Sequence, residues 1–236
     1  MPLQNRVTPF GEIVAVPERG TMMGNRGILC DADLRLRRDW AGQAWICCLL
    51  EFRGQRGPVI SANHYTRLFF LDEPTALAAG HRPCAYCRRG AYVAFRAAWA
   101  IGNTGLGLGQ RPRAIQIDRV LHGERLRLGA HKRLHRTELS TLPDGAFVTP
   151  KTPGHSRGDL IVQASDDQYW MRRPADRDGQ DLDAFLFWRG TRWRWTPGGY
   201  QEAGPLRSET VLTLTPPSIV AALANGYAPE PPAGLG

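Results

Sequence analysis

Over the first 70 residues the apolar positions fall in short runs. Glu12-Ile13-Val14-Ala15-Val16 and Trp45-Ile46-Cys47-Cys48-Leu49-Leu50-Glu51-Phe52 are separated by stretches containing glycine and proline. Short runs rich in β-branched and aromatic residues, bounded by turn formers, predict strands. The second run is apolar at nearly every position, the pattern of a strand buried on both faces. The pattern then changes. Asp72-Glu73-Pro74 leads into Ala76-Leu77-Ala78-Ala79-Gly80. Acidic residues suit the positive end of a helix, proline is tolerated in its first turn and glycine stops it, so a short helix is predicted here. A second helix is predicted to begin near Pro83 and to run through Tyr92, Phe95 and Trp99, which sit at i, i+3 and i+7 and read as one core-facing stripe.

Residues 102–113 (GNTGLGLGQRPR) hold Gly-x-Gly-x-Gly, but no strand precedes them and no Gly-Lys-Ser/Thr follows, so they read as a connector rather than a phosphate cradle. A helix is expected around 114–128, followed by the basic run His131-Lys132-Arg133-Leu134-His135-Arg136. From the turn at Pro143-Asp144-Gly145 the chain becomes β-like, through Asp159-Leu160-Ile161-Val162 and Phe185-Leu186-Phe187-Trp188. A last apolar helix is predicted from Pro217 to Leu223, ending at Asn225-Gly226, with a proline-rich tail over 228–236 that is expected to fray. No internal repeat is present. These elements imply an α+β chain in two lobes: residues 1–101, with strands and two helices, and residues 114–236, mostly β.

Hydrophobic residues make up 42% of the 236, enough for a buried core, which excludes an intrinsically disordered chain. The formal net charge is +8, and its positive side is nearly all arginine, since Lys132 and Lys151 are the only lysines. Planar guanidinium groups bind phosphates bidentately and stack on bases, so this surplus points to nucleic acid as partner. The N-terminal MPLQNRVTPFGE has no apolar signal-peptide core, and no window approaches 18 uninterrupted apolar residues, so a cytosolic protein without membrane spans is expected. The five cysteines, Cys30, Cys47, Cys48, Cys84 and Cys87, are odd in number and clustered. That suits a metal site in a reducing compartment better than a disulfide framework.

The most specific motif is Pro83-Cys84-Ala85-Tyr86-Cys87. Two cysteines so spaced, at the head of a helix, aim both sulfurs at one point, where amides and the helix dipole favour the thiolates. In this context the segment Tyr65-Thr66-Arg67-Leu68-Phe69-Phe70, followed by Ala76-Leu77-Ala78-Ala79-Gly80-His81-Arg82-Pro83-Cys84 and on to Arg88-Arg89, resembles the zinc module of Ada-type DNA-repair proteins over about residues 46–92. The resemblance implies a zinc-binding, DNA-facing fold. It implies DNA more than RNA as partner, and a role in repair or regulation. Arg53 and Gly57 stand where that family has its first cysteine pair, so the family's methyl-acceptor role does not carry over. Further zinc ligands are sought at Cys48, Cys30, His64, His81 and His122. Arg53, Arg56, Arg82, Arg88 and Arg89 are the expected phosphate contacts.

A rival reading joins the same Cys-x-x-Cys to His122-Gly123-Glu124, since nucleobase deaminases hold zinc by one His and two Cys and use a Glu to shuttle protons. Here Cys84, Cys87 and His122 would hold the metal and Glu124 would be the general acid/base, although the two motifs occur in the opposite chain order. A metal-dependent nuclease using Asp118, Glu124 and either His122 or the run from His131 through Glu138 is a further option. Finally, in Trp188-Arg189-Gly190-Thr191-Arg192-Trp193-Arg194-Trp195 a strand would place Arg192 and Arg194 on one face and Trp193 and Trp195 on the other. Such a strand either stacks bases or packs its tryptophans on a core while the arginines face water.

Overall fold

The computed structural model describes residues 2–33, 35–54, 65–126, 132–150, 161–163, 165–166, 168–171, 182–204 and 210–235. Six short strands, β1 (Arg6–Val7), β2 (Ile13–Val14), β3 (Met22–Asn25), β4 (Ile46–Leu49), β5 (Leu68–Phe70) and β6 (Arg82–Pro83), form one sheet in the order β2-β1-β5-β3-β4-β6. The pairs β1/β5 and β4/β6 are parallel and the others antiparallel. A second sheet is wholly antiparallel. It holds β7 (Lys132–Glu138), β8 (Phe147–Thr149), β9 (Ile161–Gln163), β10 (Gln168–Met171), β11 (Phe185–Trp188), β12 (Thr191–Thr196), β13 (Gly199–Ala203) and β14 (Thr210–Thr213) in the order β13-β12-β11-β8-β14-β7-β10-β9. The helices are α1 (Glu73–Ala78), α2 (Arg89–Gly102), α3 (Ala114–Arg125) and α4 (Pro217–Ala224). The fold is α+β. No helix among the described residues is long and apolar enough to cross a membrane.

Helix α1 is where the parts meet. Ala76 and Ala79 pack in the core of the first sheet, Leu77 packs with α2, α3 and α4, and Ala78 packs in the core of the second sheet. Contact on every side explains why the helix is buried all round rather than amphipathic, with Ala76, Leu77 and Ala78 each entering a different cluster and Glu73 paired at its head. Asp72 caps the helix by accepting from the Thr75 N–H at 2.9 Å, and Gly80 follows its C-terminus at φ +85°, a conformation that costs glycine little. Tyr92, Phe95 and Trp99 of α2 are all buried, as their spacing predicts. Phe95 and Trp99 pack with Ile117 and Leu121 of α3 and Ile219 and Ala222 of α4.

Three features differ from the sequence reading. The helix expected from near Pro83 begins at Arg89, because Pro83 pairs beside Cys47 in the parallel β4/β6 ladder and residues 84–88 form a turn. The division at 102–113 is crossed by the core, since α4 from the far end of the chain packs on α2. The tail is anchored rather than frayed. The N–H of Glu230 donates to Glu73 Oε2 at 2.9 Å, that of Ala233 to Asp72 Oδ2 at 3.2 Å, and the Tyr227 hydroxyl to Glu73 Oε1 at 2.5 Å. Two buried carboxylates at the head of α1 need more donors than the helix end supplies, and the tail brings them.

Candidate metal centre

Alternation along β4 sends its two adjacent cysteines to opposite faces. Cys47 is fully buried in the core of the first sheet, where burial pushes its thiol up, and it takes no part in the site. Cys48 points the other way. The parallel pairing of β6 with β4 then sets the knuckle beside it, with the Cys84 N–H donating to Cys47 O at 2.9 Å. The turn closes through the Arg88 N–H to Cys84 O at 3.2 Å, and α2 starts at the next residue.

As a result the Sγ atoms of Cys48, Cys84 and Cys87 all lie within 4.8 Å of one another. Four sulfurs at a tetrahedral zinc, each about 2.3 Å from the metal, stand about 3.8 Å apart, so side-chain rotation of a few tenths of an ångström to an ångström brings these three to ligand distance. Cys48 and Cys84 are buried and Cys87 is partly so. The donors around them suit thiolate. The Tyr86 N–H points at Cys84 Sγ at 3.4 Å, and Cys87 receives the Leu49 N–H. The Cys84 thiol is lowered from 9.0 to about 5, first by a hydrogen bond from the Cys48 side chain and then by backbone N–H groups of Cys87 and Tyr86, against burial. The same shared hydrogen bond, with burial, pushes Cys48 up. Burial pushes the Cys87 thiol up as well, so Cys84 is the member whose surroundings favour thiolate, and a cation in place of the shared protons would satisfy the group.

The three cysteines line a cavity of about 700 Å³ together with Asn25, Phe52, Tyr65, Arg67 and Tyr86, and no carboxylate lines it among the described residues. Tyr86, at the tip of the knuckle, is 66% exposed and Tyr65 is 50% exposed. Phe52 meets Tyr86 edge-on, with ring centroids 5.1 Å apart. The Arg53 guanidinium lies over both rings, 5.2 and 5.5 Å from their centroids, with Nη1 3.3 Å from the Tyr86 hydroxyl. Arg53 adopts φ +55°, one of two non-glycine residues with positive φ among the described residues.

The other expected ligands lie elsewhere. Cys30 is beside Thr66 Oγ1 at 3.6 Å. His81 is fully buried, packed against Trp45 and Phe70, with Nε2 accepting from Arg26 Nε at 3.2 Å. His122 packs edge-on against Trp40, with its Nδ1 3.4 Å from Arg125 Nη2. His64 and Arg56 fall outside the described residues. Glu124 accepts from the Ser218 hydroxyl at 2.6 Å and from the Ser218 N–H at 3.2 Å at the start of α4. The rival arrangement is therefore corrected: α3 turns His122 and Glu124 to other surroundings, and neither joins the cysteine group. Asp118 is likewise occupied, by Arg82.

The arginines divide sharply. Arg82 is buried and forms a bidentate pair with Asp118, Nε–Oδ1 2.7 Å and Nη2–Oδ2 2.8 Å. Arg88 is buried and pairs with Glu73 through two 2.7 Å bonds and with Glu230 at 2.8 Å. Both were expected as phosphate contacts; both instead join elements of the fold, and that expectation is corrected. Arg89 is exposed. In β12, Trp193 and Trp195 pack against the core of the second sheet, Arg192 lies 4.5 Å over the Phe185 ring, and Arg194 pairs with Asp183 at the surface. This strand uses its tryptophans for packing. Sequence reasoning also missed a group of buried cations at the junction of the sheets, Arg26, Arg125 and Lys132; a lysine standing almost alone in an arginine-rich chain was the available signal. Comparison with protein-family models, curated proteins and solved structures finds no match to the chain.

Proposed function

We propose that Cys48, Cys84 and Cys87 hold a zinc ion, and that the arginine and aromatic side chains beside it bind nucleic acid. The observation that carries the metal is the convergence of three sulfurs from a strand and a helix-leading turn, with backbone N–H donors on the thiolates. Three soft thiolate ligands suit zinc and would cross-link β4 to the start of α2, with the fourth position facing the cavity. Cys84 and Cys87 occupy the second cysteine pair of the Ada-type pattern, while Cys48 supplies a sulfur from outside that pattern. This supports a related zinc knuckle with its own ligand set.

The nucleic-acid half of the proposal rests on the surface next to the knuckle. Exposed Tyr86 and Tyr65 offer faces on which bases stack, and Arg53 and Arg89 offer guanidinium groups for phosphate. Stacking without a groove-filling helix favours single strands. Elemental analysis of the purified protein should give close to one zinc per chain, lost in Cys84→Ser and Cys48→Ser and retained in Cys30→Ser. Fluorescence anisotropy with a labelled single-stranded oligonucleotide should show affinity that falls as salt rises, and Tyr86→Ala and Arg53→Ala should each weaken it by about 5-fold or more, in line with roughly 1–3 kcal/mol per stacked base. Metal-free protein, or retention of zinc in Cys48→Ser, refutes the first half. Unchanged binding in both surface variants refutes the second.

A further inference from the structure

A second cavity, of about 510 Å³, lies at the junction of the two sheets and shares no lining residue with the cysteine site. Arg26 from just after β3, Arg125 from the end of α3 and Lys132 from the start of β7 all line it, and all three are buried. Their polar contacts are with neutral groups. Arg26 donates to His81 Nε2, to Gly11 O at 2.9 Å and to Asp39 O at 3.4 Å. Arg125 donates to Gly80 O at 2.8 Å and to Gln43 O at 2.6 Å, and its Nη2 is near His122 Nδ1. Lys132 donates to Ala78 O at 2.7 Å, which uses one of its three N–H groups. Arg26 and Arg125 also sandwich Trp45, with guanidinium carbons 4.0 and 3.9 Å from its ring centre.

Buried cations are ordinarily paired with carboxylates, as Arg82 and Arg88 are in this same protein. Among the described residues these three make no such close pair, although Asp39 lies near enough to attract Arg26, and Asp118 and Glu124 to attract Arg125. Glu12 and Asp39 also line the cavity, and Asp39 attracts Arg26 through space, so three cations face two acids in its wall. Arg26 Nη2 and Arg125 Nε are buried without a hydrogen-bond partner, as is His81 Nδ1 behind them. A buried, unsatisfied donor is a defect in a structural network and an asset in a binding site, where the ligand supplies the acceptor. The carbonyls of Ala78 and Gly80 at the end of α1 take one donor each from Lys132 and Arg125, which leaves the rest of both groups unexplained by helix capping. Apart from Gln4 and the two acids, the rest of the wall is largely apolar, with Phe10, Ile13, Leu36, Leu126 and Met171.

We propose that this cavity binds a small organic anion, with a phosphate or carboxylate group held by Arg26, Arg125 and Lys132 and an apolar or aromatic body lying along Phe10, Ile13, Leu36 and Met171. Its size matches a ligand of one ring with one charged group, and it lies within the usual range for small-molecule sites. Guanidinium and ammonium groups in a low-dielectric pocket make charge-assisted bonds to an oxyanion, and stacking on Trp45 holds each arginine in place.

Isothermal titration calorimetry at fixed ionic strength tests this with phenyl phosphate, benzoate and the neutral benzyl alcohol as probes. Wild-type protein is expected to bind one equivalent of phenyl phosphate or benzoate saturably, and benzyl alcohol at least tenfold more weakly. Comparison of the two anions reports which oxyanion the site prefers. Lys132→Met, which keeps the apolar stem, is expected to weaken the anion by tenfold or more, as loss of a charged hydrogen bond does, while Arg111→Met on the surface leaves it unchanged. Absence of saturable binding of both anions to wild-type protein overturns the proposal. So does equal affinity in Lys132→Met, or equal binding of benzyl alcohol. The anion-against-alcohol comparison uses wild-type protein alone and decides the matter even if Lys132→Met fails to fold.

Discussion

Replacing Arg88 with Met separates a structural arginine from a phosphate-binding one. Arg88 grips Glu73 with two bonds of 2.7 Å and reaches Glu230 at 2.8 Å, with Arg88 and Glu73 both almost fully shielded from water. Removing one partner of a buried pair leaves the other charge uncompensated, which costs about 3–5 kcal/mol. Glu73 keeps two donors in the variant, the Tyr227 hydroxyl at 2.5 Å and the Glu230 N–H at 2.9 Å, and Met fills the volume of the stem. Those terms place the expected loss near the lower end, about 3 kcal/mol. Against a total stability of roughly 5–15 kcal/mol, that is a large shift in the urea midpoint. The Glu73→Gln variant and the double variant complete a cycle. If the two side chains act on each other, the double variant is more stable than the sum of the single losses by about 2 kcal/mol, because no bare charge remains in it. Urea denaturation followed by circular dichroism supplies all four values. A loss within about 0.5 kcal/mol for Arg88→Met, accompanied by weaker oligonucleotide binding and a shallower salt dependence, is the signature of an exposed phosphate contact and refutes the structural assignment.

Two further outcomes follow from buried groups and close contacts. Burial pushes Lys132 down from 10.5 to about 7, with repulsion from Arg26 and Arg125 added, so between those values the unfolded chain binds a proton that the folded chain has released. Stability without added anion should therefore rise with pH across that window, by at most about 5 kcal/mol, and Lys132→Met should flatten the rise; parallel pH curves for the two proteins refute this. Gly102 lets α2 approach α4 so closely that a Cβ there would meet Ala221 O at 2.5 Å and Ala221 C at 2.7 Å, whereas a Cβ at Gly105 meets nothing within 4 Å. Thermal denaturation should show Gly102→Ala destabilised by about 1–3 kcal/mol and Gly105→Ala unchanged or slightly stabilised, and equal melting temperatures for the two variants refute the contact.

What the sequence discloses tracks how local the cause is. Helix α1 is marked by its own cap, its proline and its terminating glycine, so Asp72 to Gly80 is readable without knowledge of the rest. The core stripe of α2 and the end of α4 are equally local. The split between Arg192 and Arg194 on one face and Trp193 and Trp195 on the other needs only the period of a strand. Cys48 is an intermediate case. Its place on a strand is legible, but its approach to Cys84 depends on the parallel β4/β6 pairing, a tertiary fact. The misread residues have distant partners. Arg82 finds Asp118 36 residues away, and Arg88 finds Glu73 15 residues back and Glu230 142 residues on, so periodicity contains no trace of either pair. Glu124 and His122 share a helix, yet Ser218 and Trp40, far off in the chain, decide what each one does.

The same misreading alters what the net charge can be used to argue. A formal +8 invites the inference that the exterior is a cationic surface. Arg26, Arg82, Arg88, Arg125 and Lys132 are all in the interior, however, together with Asp72, Glu73 and Asp118, so among the described residues five buried cations face three buried acids and part of the surplus never reaches solvent. Arg82 and Arg88 are balanced there by Asp118 and Glu73. Arg26, Arg125 and Lys132 make no such close pair among the described residues, and their burial makes an enclosed anion site attractive. On the proposed function, binding of a nucleic acid at the knuckle would draw on Arg53, Arg89, Tyr65 and Tyr86, with a share from stacking. This sets the two sites apart in their response to salt. Surface affinity at the knuckle should fall with ionic strength over a shallow slope set by few phosphate contacts, whereas charges inside the cavity are poorly reached by mobile ions and respond mainly to direct competition from the anions of the salt itself.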